Sequence, residues 1–412
     1  MCIFARMLPR RLQNIIENLR SQAWVLLLIK KGKLFLVGGS VRDAYRDEEV
    51  KDIDLIVEGI SMEDIKTILS SFGRVDIVGE SFAVIKFRPK GHEGEDYDIA
   101  VPRTDRKVGE GHKDFVVQTE GVTIADDLKR RDFTINSIAI DIKTGNIIDP
   151  FDGLVDIRHK VLRATDKEAF IEDPLRILRG IQFAARFGYS IDLTTMELMR
   201  ENSHLIKNIT GERIMDELMK IVKKNGNTQI AFHLLHETDV DRALFGRKML
   251  HYLEGIEYLD AVSFFYLLGL FGWVDDPADF VRARLKGEAR LEKDVRNLDK
   301  MFVKLHQLHE EEDLKFFLSK LFSESPAIMD AVIIPDEVDK VVLQMRLAKI
   351  PKSLRDIMVD GNDVMTISQN KIQGKKVGEI LDRVLRDALM NRFKWNDRRD
   401  SMEYLAQIIY EN

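Results

Sequence analysis

Two aspartates lie two positions apart in a short apolar run, KDIDLIV, which spans residues 51–57. If this run is a β-strand, alternate side chains leave the same face, so Asp52 and Asp54 point the same way. Two carboxylates so close repel each other unless a cation lies between them, and Mg²⁺ prefers hard oxygen ligands together with phosphate oxygens and water. A solvated edge strand would show the same spacing. The two aspartates are therefore candidate metal ligands.

A glycine pair lies shortly upstream of these aspartates. The β-rich run 34–37 leads into Gly38 and Gly39, and Arg42 follows within a helix-like segment. Glycines at a strand-to-helix turn let the backbone approach a phosphate, and the first N–H groups of a helix attract an anion. Arg42 would then face the same phosphates. The glycine turn, the arginine and the paired aspartates together predict a site for a triphosphate and a metal ion.

Phosphoryl transfer through two metal ions usually needs a third carboxylate near the attacking hydroxyl. Asp96 and Asp98 alternate with apolar residues in EDYDIAV and share one face of a predicted strand. Asp98 lies deeper in the β-rich run and is the preferred candidate, with Asp96 as the alternative. Either residue could instead be a surface carboxylate.

The elements around these residues fall into two regions. Up to about residue 160, short β-rich runs alternate with helix-like ones, and Thr144-Gly145-Asn146 lies between two such runs as in a hairpin. Beyond Thr165 apolar residues recur at helical spacing, so the remainder is predicted to be all-helical. The chain is therefore expected to combine an α/β part with a helical part.

The composition excludes several protein classes. With 412 residues the chain is long enough for two or more domains, and its net charge of −6 does not by itself indicate a nucleic-acid binder. A single cysteine excludes internal disulfides and cysteine-rich zinc sites and fits a reducing cytoplasm. The most apolar runs are too short to span a membrane, and no targeting signal is evident. We expect a soluble cytoplasmic protein.

A series of motifs over about residues 34 to 225 resembles the class II nucleotidyltransferases, which comprise bacterial-type tRNA CCA-adding enzymes and poly(A) polymerases. In chain order they are LFLVGGSVRD, KDIDLIV, DLKRRDFTINSIAID, EAFIEDPLRILRGIQFAARFG and ERIMDEL. RRDFTIN and EDPLRILR are long and specific to the family. Near the end, GNDVMTISQNKIQGKKVGEIL more weakly resembles the family's tRNA-holding tail.

The resemblance implies an α+β architecture, with a polymerase-β-like nucleotidyltransferase head that contains a mixed β-sheet. The implied segments are a catalytic head over 1–160, a helical neck over 161–225, a helical body over 226–350 and a tRNA-binding helical tail over 351–412. The implied activity is template-independent addition of C and/or A from CTP and ATP to the 3′ end of tRNA, with Mg²⁺ as cofactor. The expected partners are the acceptor stem and 3′ end of tRNA, ATP and CTP, without a membrane or a protein partner.

The same resemblance implies roles for individual residues. Arg42 and Arg131 would hold the triphosphate, and the two strand aspartates would bind the metal. Asp132 would contact the ribose, and Asn136 would help to order the site. Without the resemblance, Lys129-Arg130-Arg131 would be interpreted as the solvated end of a helix.

Four charged residues are predicted to begin one helix and to bind the nucleotide: Glu172, Asp173, Arg176 and Arg179. The resemblance implies that Asp173 and Arg176 read the base as a pair. Spacing of i, i+3 places Asp173 beside Arg176, a pair that elsewhere would be an ordinary helical ion pair. Adenine and cytosine both present an amino donor beside a ring-nitrogen acceptor, so a carboxylate next to an arginine fits both. Guanine and uracil present the reverse pattern.

Two features separate the possible activities. Glu80 and Ser81 stand where poly(A) polymerases commonly have two basic residues, which favours the tRNA enzymes. The connection from Arg103 to Thr123 is not shortened as in relatives that stop after two cytidines. The alternatives are an A-only or CC-only enzyme, a poly(A) polymerase and a catalytically inactive RNA-binding relative. A nucleotidyltransferase that modifies an antibiotic or a protein would lack RRDFTIN and EDPLRILR.

Contacts to RNA are expected from basic residues near the C-terminus, through phosphates and 2′-hydroxyls. The candidates are Arg383, Arg386, Arg392, Lys394, Arg398 and Arg399, with Lys371, Lys375 and Lys376 beside Gly374.

Overall fold

The computed structural model describes residues 8–50, 52–78, 84–91, 94, 96–107, 115–224, 226–248, 259–270, 272–305, 315–316, 318–319, 351 and 354–411. The predicted discriminating positions Glu80 and Ser81, and residues 108–114 of the connection from Arg103 to Thr123, lie outside these ranges. The chain divides into two compact units. One comprises Met1–Ile209 with Leu234–Leu244, and the other comprises Thr210–His233 with Phe245–Asn412.

The first unit contains a seven-stranded mixed sheet in the described part of the chain. The strands in chain order are β1 (Lys33–Val37), β2 (Ile53–Glu58), β3 (Gly73–Val78), β4 (Val84–Pro89), β5 (Tyr97–Ala100), β6 (Thr104–Lys107), β7 (Phe115–Gln118), β8 (Ala139–Asp141), β9 (Ile147–Ile148), β10 (Val161–Leu162) and β11 (Ser190–Ile191). The large sheet has the order β3-β4-β5-β2-β1-β8-β9, while β6 pairs with β7 and β10 with β11. Within the large sheet β2 and β5 are parallel, and the other pairs are antiparallel.

The helices around this sheet in the first unit are α1 (Arg10–Ser21), α2 (Ala23–Lys31), α3 (Gly39–Tyr45), α4 (Met62–Ser70), α5 (Ile124–Lys129), α6 (Gly153–His159), α7 (Lys167–Glu172), α8 (Leu175–Phe187) and α9 (Leu193–Asn202). The helices that follow are α10 (Gly211–Lys223), α11 (Thr228–Glu237), α12 (Val240–Phe245), α13 (Ala261–Leu270), α14 (Pro277–Asp279), α15 (Ala289–Leu305), α16 (Gly361–Ile367), α17 (Lys375–Leu389) and α18 (Arg398–Glu411). None of the described helices is both long enough and apolar enough to cross a bilayer.

The two faces of the sheet are covered by different helices. On one face Phe35 and Ile56 pack with Ile124 and Leu128 of α5. On the other face Trp24 of α2 packs edge-on against Phe87, with ring centroids 5.1 Å apart, and against Tyr97 at 5.2 Å. Because side chains alternate along a strand, Asp54 shares the α5 face with Ile56. The sheet therefore directs the strand carboxylates toward the side where α5 ends.

These observations confirm the predicted α+β class, the mixed sheet and the hairpin at Thr144-Gly145-Asn146, where Gly145 has φ +78°. The expectation that everything beyond Thr165 is helical is wrong at one place, because β11 pairs in parallel with β10. A strand of two residues is too short to show the alternation that marks strands in a sequence.

Candidate active site

The turn between β1 and α3 has a backbone that requires glycine. Gly38 adopts φ +67°, a conformation that side chains disfavour. A Cβ atom at Gly38 would lie 2.8 Å from Arg131 Nη1 and 3.6 Å from Asp54 Oδ2. The glycine turn, the Arg131 guanidinium and the Asp54 carboxylate therefore converge.

Ser40 connects this turn to β2. Its hydroxyl donates to the carbonyl of Asp52 at 2.9 Å and accepts from the backbone N–H of Asp54 at 3.1 Å. The side chain is buried, so both bonds form away from solvent and fix the carboxylates relative to the first turn of α3. The serine of GGSVRD was the available signal, but a single serine has too many ordinary uses to be selected from the sequence.

The carboxylates on the sheet lie next to one another. In the parallel pairing of β2 and β5, Asp54 is the register partner of Asp98, and Asp52 precedes β2. Burial raises the pKa of Asp54 from its ordinary 3.8 to about 6. Asp98 and Asp52 add to this shift, and Arg131 and Arg42 oppose it. A half-buried carboxylate among other carboxylates is a hard-oxygen donor that fits a divalent cation. Within the described ranges, no three acidic, histidine or cysteine side chains are arranged to hold a metal ion by themselves.

The structure distinguishes the two candidates for the third carboxylate. Asp98 lies beside Asp54 and accepts a hydrogen bond from Lys86 Nζ on β4 at 2.8 Å. Asp96 lies before β5 and accepts from Arg88 Nε at 2.5 Å. Lys86 was not selected from the sequence, because only the antiparallel pairing of β4 with β5 brings it opposite Asp98.

Arg131 follows α5 and reaches the turn from the side. Its Nη1 donates to the backbone carbonyl of Asn136 at 3.3 Å, and its Nε and Nη2 donate to Asp127 at 3.1 and 3.0 Å. The Arg131 side chain is 20% exposed. It is therefore less solvated than the helix end that the local sequence alone suggests, but it is not fully buried.

Arg42 is held more tightly than the sequence suggested. Its Nε and Nη2 donate to Asp43 at 2.7 and 2.8 Å, and its Nη1 donates to Asn136 Oδ1 at 2.6 Å. The guanidinium also lies 4.9 Å from the ring centroid of Phe187, and the side chain is 9% exposed. Three of the five N–H groups of an arginine are thus used inside the protein. Arg42 Nη2 lies 3.5 Å from the position of a Cβ on Gly39, so the guanidinium borders the glycine turn.

Asp132 has its carboxylate surrounded by donors. Oδ1 accepts from the backbone N–H of Phe133 and from Asn136 Nδ2, at 2.8 and 2.9 Å. Oδ2 accepts from Arg179 Nε at 2.8 Å and from Arg179 Nη2 at 2.6 Å. Burial would raise the pKa of Asp132, but Arg179 and the Asn136 hydrogen bond outweigh burial and hold it at about 2. A carboxylate has about four acceptor positions, so a ribose hydroxyl would have to replace one of these donors.

The helix predicted to begin with the four charged residues is interrupted. Glu172 ends α7, Asp173 is extended with φ −119° and ψ 94°, and α8 begins at Leu175. Pro174 explains the break, because proline disfavours a helical conformation at the residue before it. The prediction that Asp173 and Arg176 lie together within the first turn of one helix is therefore wrong, although they remain close along the chain.

Arg176 is anchored to the loop that carries Arg131. Its Nη1 donates to the carbonyl of Ala169 at 2.6 Å, and its Nη2 donates to the carbonyl of Arg130 at 2.5 Å. Burial lowers the pKa of Arg176, while Asp132 and Asp173 counteract that shift. Asp173 Oδ1 accepts from the backbone N–H of Leu175 at 3.3 Å and so caps α8. The base-reading candidates thus lie directly beside the RRD segment.

The cations predicted to contact RNA are partly paired with carboxylates. Arg398 forms two hydrogen bonds with Asp363, at 2.7 and 2.5 Å, and Arg399 pairs with Glu403 at 3.0 Å. Arg392 pairs with Asp387. The positive charge of this segment is therefore smaller than its count of arginines suggests.

Comparison with known proteins matches two family models to this chain. Residues 34–163 match the poly A polymerase head domain, and residues 188–251 match the probable RNA and SrmB- binding site of polymerase A. A CCA-adding enzyme from Blochmanniella floridana is 37% identical over 217 residues, which are 52% of this chain and 50% of that protein. A multifunctional CCA protein from Nitrosomonas eutropha is 40% identical over 208 residues, 50% of this chain and 47% of the relative. The chain spans about half the length of the curated relatives it matches.

Solved structures extend the similarity of fold to nearly the whole chain. The Thermotoga maritima CCA-adding enzyme complexed with tRNA superposes with a TM-score of 0.63 at 24% identity, covering 98% of this chain and 96% of that one. The Bacillus stearothermophilus CCA-adding enzyme in complex with CTP gives 0.59 at 23% identity, with 95% and 96% covered. Residues 34–163 are thus similar to the head domain of poly A polymerases, and the solved CCA-adding enzymes show that the fold is shared over nearly the whole chain.

Proposed function

We propose that the protein is a template-independent tRNA nucleotidyltransferase that adds C and A to the 3′ end of tRNA from CTP and ATP. The observation that carries the proposal is the convergence of the Gly38 turn, the Arg131 guanidinium and the Asp54 carboxylate, with Asp98 beside Asp54 on the next strand. A triphosphate bound at this turn would meet backbone N–H groups, a cation and metal ligands together. The relatives named as CCA-adding enzymes support tRNA as the acceptor.

In the proposed reaction the nucleoside triphosphate lies over the turn at Gly38 and Gly39, with Arg131 beside it. The 3′-hydroxyl of the tRNA attacks the α-phosphate, the bond from the α- to the β-phosphate breaks, and pyrophosphate leaves. Asp52 and Asp54 would hold Mg²⁺, which neutralises phosphate charge and lowers the pKa of the attacking 3′-hydroxyl. Asp98 lies where a third carboxylate can receive the proton of that hydroxyl, if Lys86 gives up its contact. Because Arg42 is engaged by Asp43 and Asn136, we assign it to shaping the turn, with its remaining N–H groups available to phosphate.

The base would be selected at the break between α7 and α8. Asp173 accepts a hydrogen bond from the exocyclic amino group that cytosine and adenine share. Arg176 donates a hydrogen bond to the adjacent ring nitrogen. Asp132 and Asn136 link this region to the turn, because Asn136 bonds both Arg42 and Asp132, and Asp132 bonds Arg179. Glu172 ends α7 directly before this break, and we assign it to the same base-binding region.

We assign the head to residues 1–160, the neck to 161–225, the body to 226–350 and the tail to 351–412, with neck, body and tail holding the tRNA. The single cysteine in the chain fits a cytoplasmic location.

The test is incubation of the purified protein with tRNA that ends at the discriminator base, with Mg²⁺ and with ATP and CTP separately and together. Extension by three nucleotides with both substrates supports the full CCA activity. Extension by two, extension by A only on tRNA that already ends in CC, or a long poly(A) product would identify the other members of the family. No incorporation under any condition would leave the inactive RNA-binding relative as the correct assignment.

Replacing the third carboxylate should separate Asp98 from Asp96. Asp98→Asn is expected to lower the rate of nucleotide addition on the order of 100-fold, because the amide has no negative charge with which to accept the hydroxyl proton. Asp96→Asn removes a neighbouring carboxylate of the same size and should leave the rate close to wild type. Single-turnover incorporation of CMP into tRNA measures both. A larger loss for Asp96→Asn would show that Asp96 is the catalytic carboxylate.

A further inference from the structure

Asp127 is a fully buried carboxylate that none of the roles above uses. It lies on α5 with 0% of its side chain exposed. Its Oδ1 accepts from Arg130 Nε at 3.0 Å and Nη2 at 2.6 Å, and its Oδ2 accepts from Arg131 Nε at 3.1 Å and Nη2 at 3.0 Å. The backbone N–H of Arg103 lies 3.4 Å from Oδ1. One carboxylate thus binds two adjacent arginines through separate oxygens.

This contact decides which part of Arg131 faces the turn. Because Asp127 takes the edge formed by Nε and Nη2, Nη1 points toward the Asn136 carbonyl and lies 2.8 Å from the position of a Cβ on Gly38. A flexible arginine side chain has many rotamers, and a contact through two nitrogen atoms selects one of them. The buried carboxylate therefore sets the direction of the guanidinium that meets the phosphates.

The charges of Asp127, Arg130 and Arg131 favour this arrangement of the three side chains. Burial of a carboxylate is costly unless cations compensate it, and here Arg131 and Arg130 more than offset burial and lower the pKa of Asp127. Arg130 completes the compensation and donates its Nε to the carbonyl of Arg103 at 2.8 Å. Asp127 consequently keeps its negative charge.

We propose that Asp127 is a positioning residue for triphosphate recognition, which acts through Arg131 and contacts no substrate itself. The proposal rests on the proposed function, since it assigns Arg131 to the phosphates of the incoming nucleotide. The ligand class is a nucleoside triphosphate, and the contribution of Asp127 concerns the phosphates rather than the base. Its loss should weaken binding of CTP much more than binding of CMP.

The test compares Asp127→Asn with Asp126→Asn. Asp126 is the adjacent acidic residue on α5 and accepts from Thr123 in a capping box, so its replacement weakens the helix without touching Arg131. We expect Asp127→Asn to raise the equilibrium Kd for CTP roughly 10- to 100-fold, because a displaced guanidinium no longer meets the phosphates. The Kd for CMP and the Kd for tRNA should stay near wild type, and Asp126→Asn should change none of the three.

A double mutant distinguishes positioning from general support of the fold. If Asp127 acts through Arg131, then Asp127→Asn should add little to the loss of CTP affinity already caused by Arg131→Ala. Additive losses would overturn the proposal, and so would wild-type CTP affinity in Asp127→Asn.

If Asp127→Asn does not fold, Asp127→Glu serves as the second variant. It keeps the charge but moves it by one methylene, so weakened CTP binding supports positioning and full CTP affinity contradicts it. Failure of the wild-type protein to bind CTP would instead refute the proposed function.

Discussion

Asp52→Ala and Asp54→Ala are each expected to abolish nucleotide addition while tRNA binding survives. Each change removes a carboxylate proposed to hold Mg²⁺, and the cation supplies both charge neutralisation and activation of the attacking hydroxyl. The expected loss of rate is on the order of 10³-fold or more, comparable with removal of a principal electrostatic contact in an active site. Asp54 lies on β2 of the first unit and Asp52 directly precedes that strand, whereas the tRNA-holding role is assigned to the helical segments.

The measurement is single-turnover incorporation of CMP into tRNA, together with the Kd for tRNA. Asp76→Ala serves as the matched control, because Asp76 is an exposed carboxylate on β3 of the same sheet, paired with Arg74 at 2.7 Å. It should retain wild-type rates. Ordinary turnover in Asp52→Ala or Asp54→Ala would show that these carboxylates are not the metal ligands.

Stability provides a second readout for Asp54. Its pKa is raised to about 6, so at pH 7 the folded protein holds a charge that burial and the neighbouring carboxylates disfavour. The ionised group therefore opposes folding, and Asp54→Asn should raise the melting temperature of the metal-free protein at pH 7 by a few degrees. The gain should shrink as the pH falls below about 6, where the wild-type carboxyl takes up its proton. Inactivation accompanied by a lower melting temperature would instead indicate damage to the fold.

Much of this site could be predicted because its signals are local. The strand alternation of KDIDLIV places Asp52 and Asp54 on one face whatever the partners of the strand are. The glycine turn also depends on local backbone geometry, and Gly38 does adopt a conformation that requires glycine. The β-rich runs and the hairpin follow from periodicity and turn residues in the same way.

The remaining features depend on tertiary pairing, which local patterns do not contain. Asp96 and Asp98 have the same alternation, and only the parallel register of β2 with β5 places Asp98 beside Asp54. Asp127 precedes Arg130 and Arg131 at helical spacing, which in a sequence resembles an exposed ion pair, and its burial arises from packing around the sheet. The break at Pro174 is different, because the proline itself indicates it in the sequence, whereas the i, i+3 spacing of Asp173 and Arg176 indicates a continuous helix.

The second large effect is expected at Asp173, which directly precedes the break at Pro174. Asp173→Ala should change which bases the protein selects. Asp173 is proposed to accept the amino group of cytosine or adenine, and its negative charge repels the carbonyl oxygen that uracil and guanine present there. A well-placed polar contact of this kind discriminates by roughly 1–3 kcal/mol per base, and a mismatched base also leaves buried polar groups unpaired. The variant should therefore lose rate with CTP and ATP, and its relative use of UTP and GTP should rise on the order of 10-fold.

Asp173 also caps α8 through Leu175, so a loss of helix stability has to be separated from a loss of base recognition. Asp166→Ala is the matched control, because Asp166 caps the preceding helix α7 by accepting from the backbone N–H groups of Glu168 and Ala169. Loss of a cap costs about 1 kcal/mol of stability, which Asp166→Ala should show without any change in base preference.

The decisive comparison is incorporation of all four nucleotides by each variant at equal tRNA and Mg²⁺ concentrations. Asp173→Asn is a further variant for this comparison, because its amide can turn an N–H toward the carbonyl of uracil. It should therefore accept UTP more readily than Asp173→Ala does. Because Arg176 is anchored on the carbonyls of Ala169 and Arg130, its removal should reduce rate and selectivity together. If Asp173→Ala keeps the wild-type preference for CTP and ATP over UTP and GTP, Asp173 is a helix cap and the base is read elsewhere.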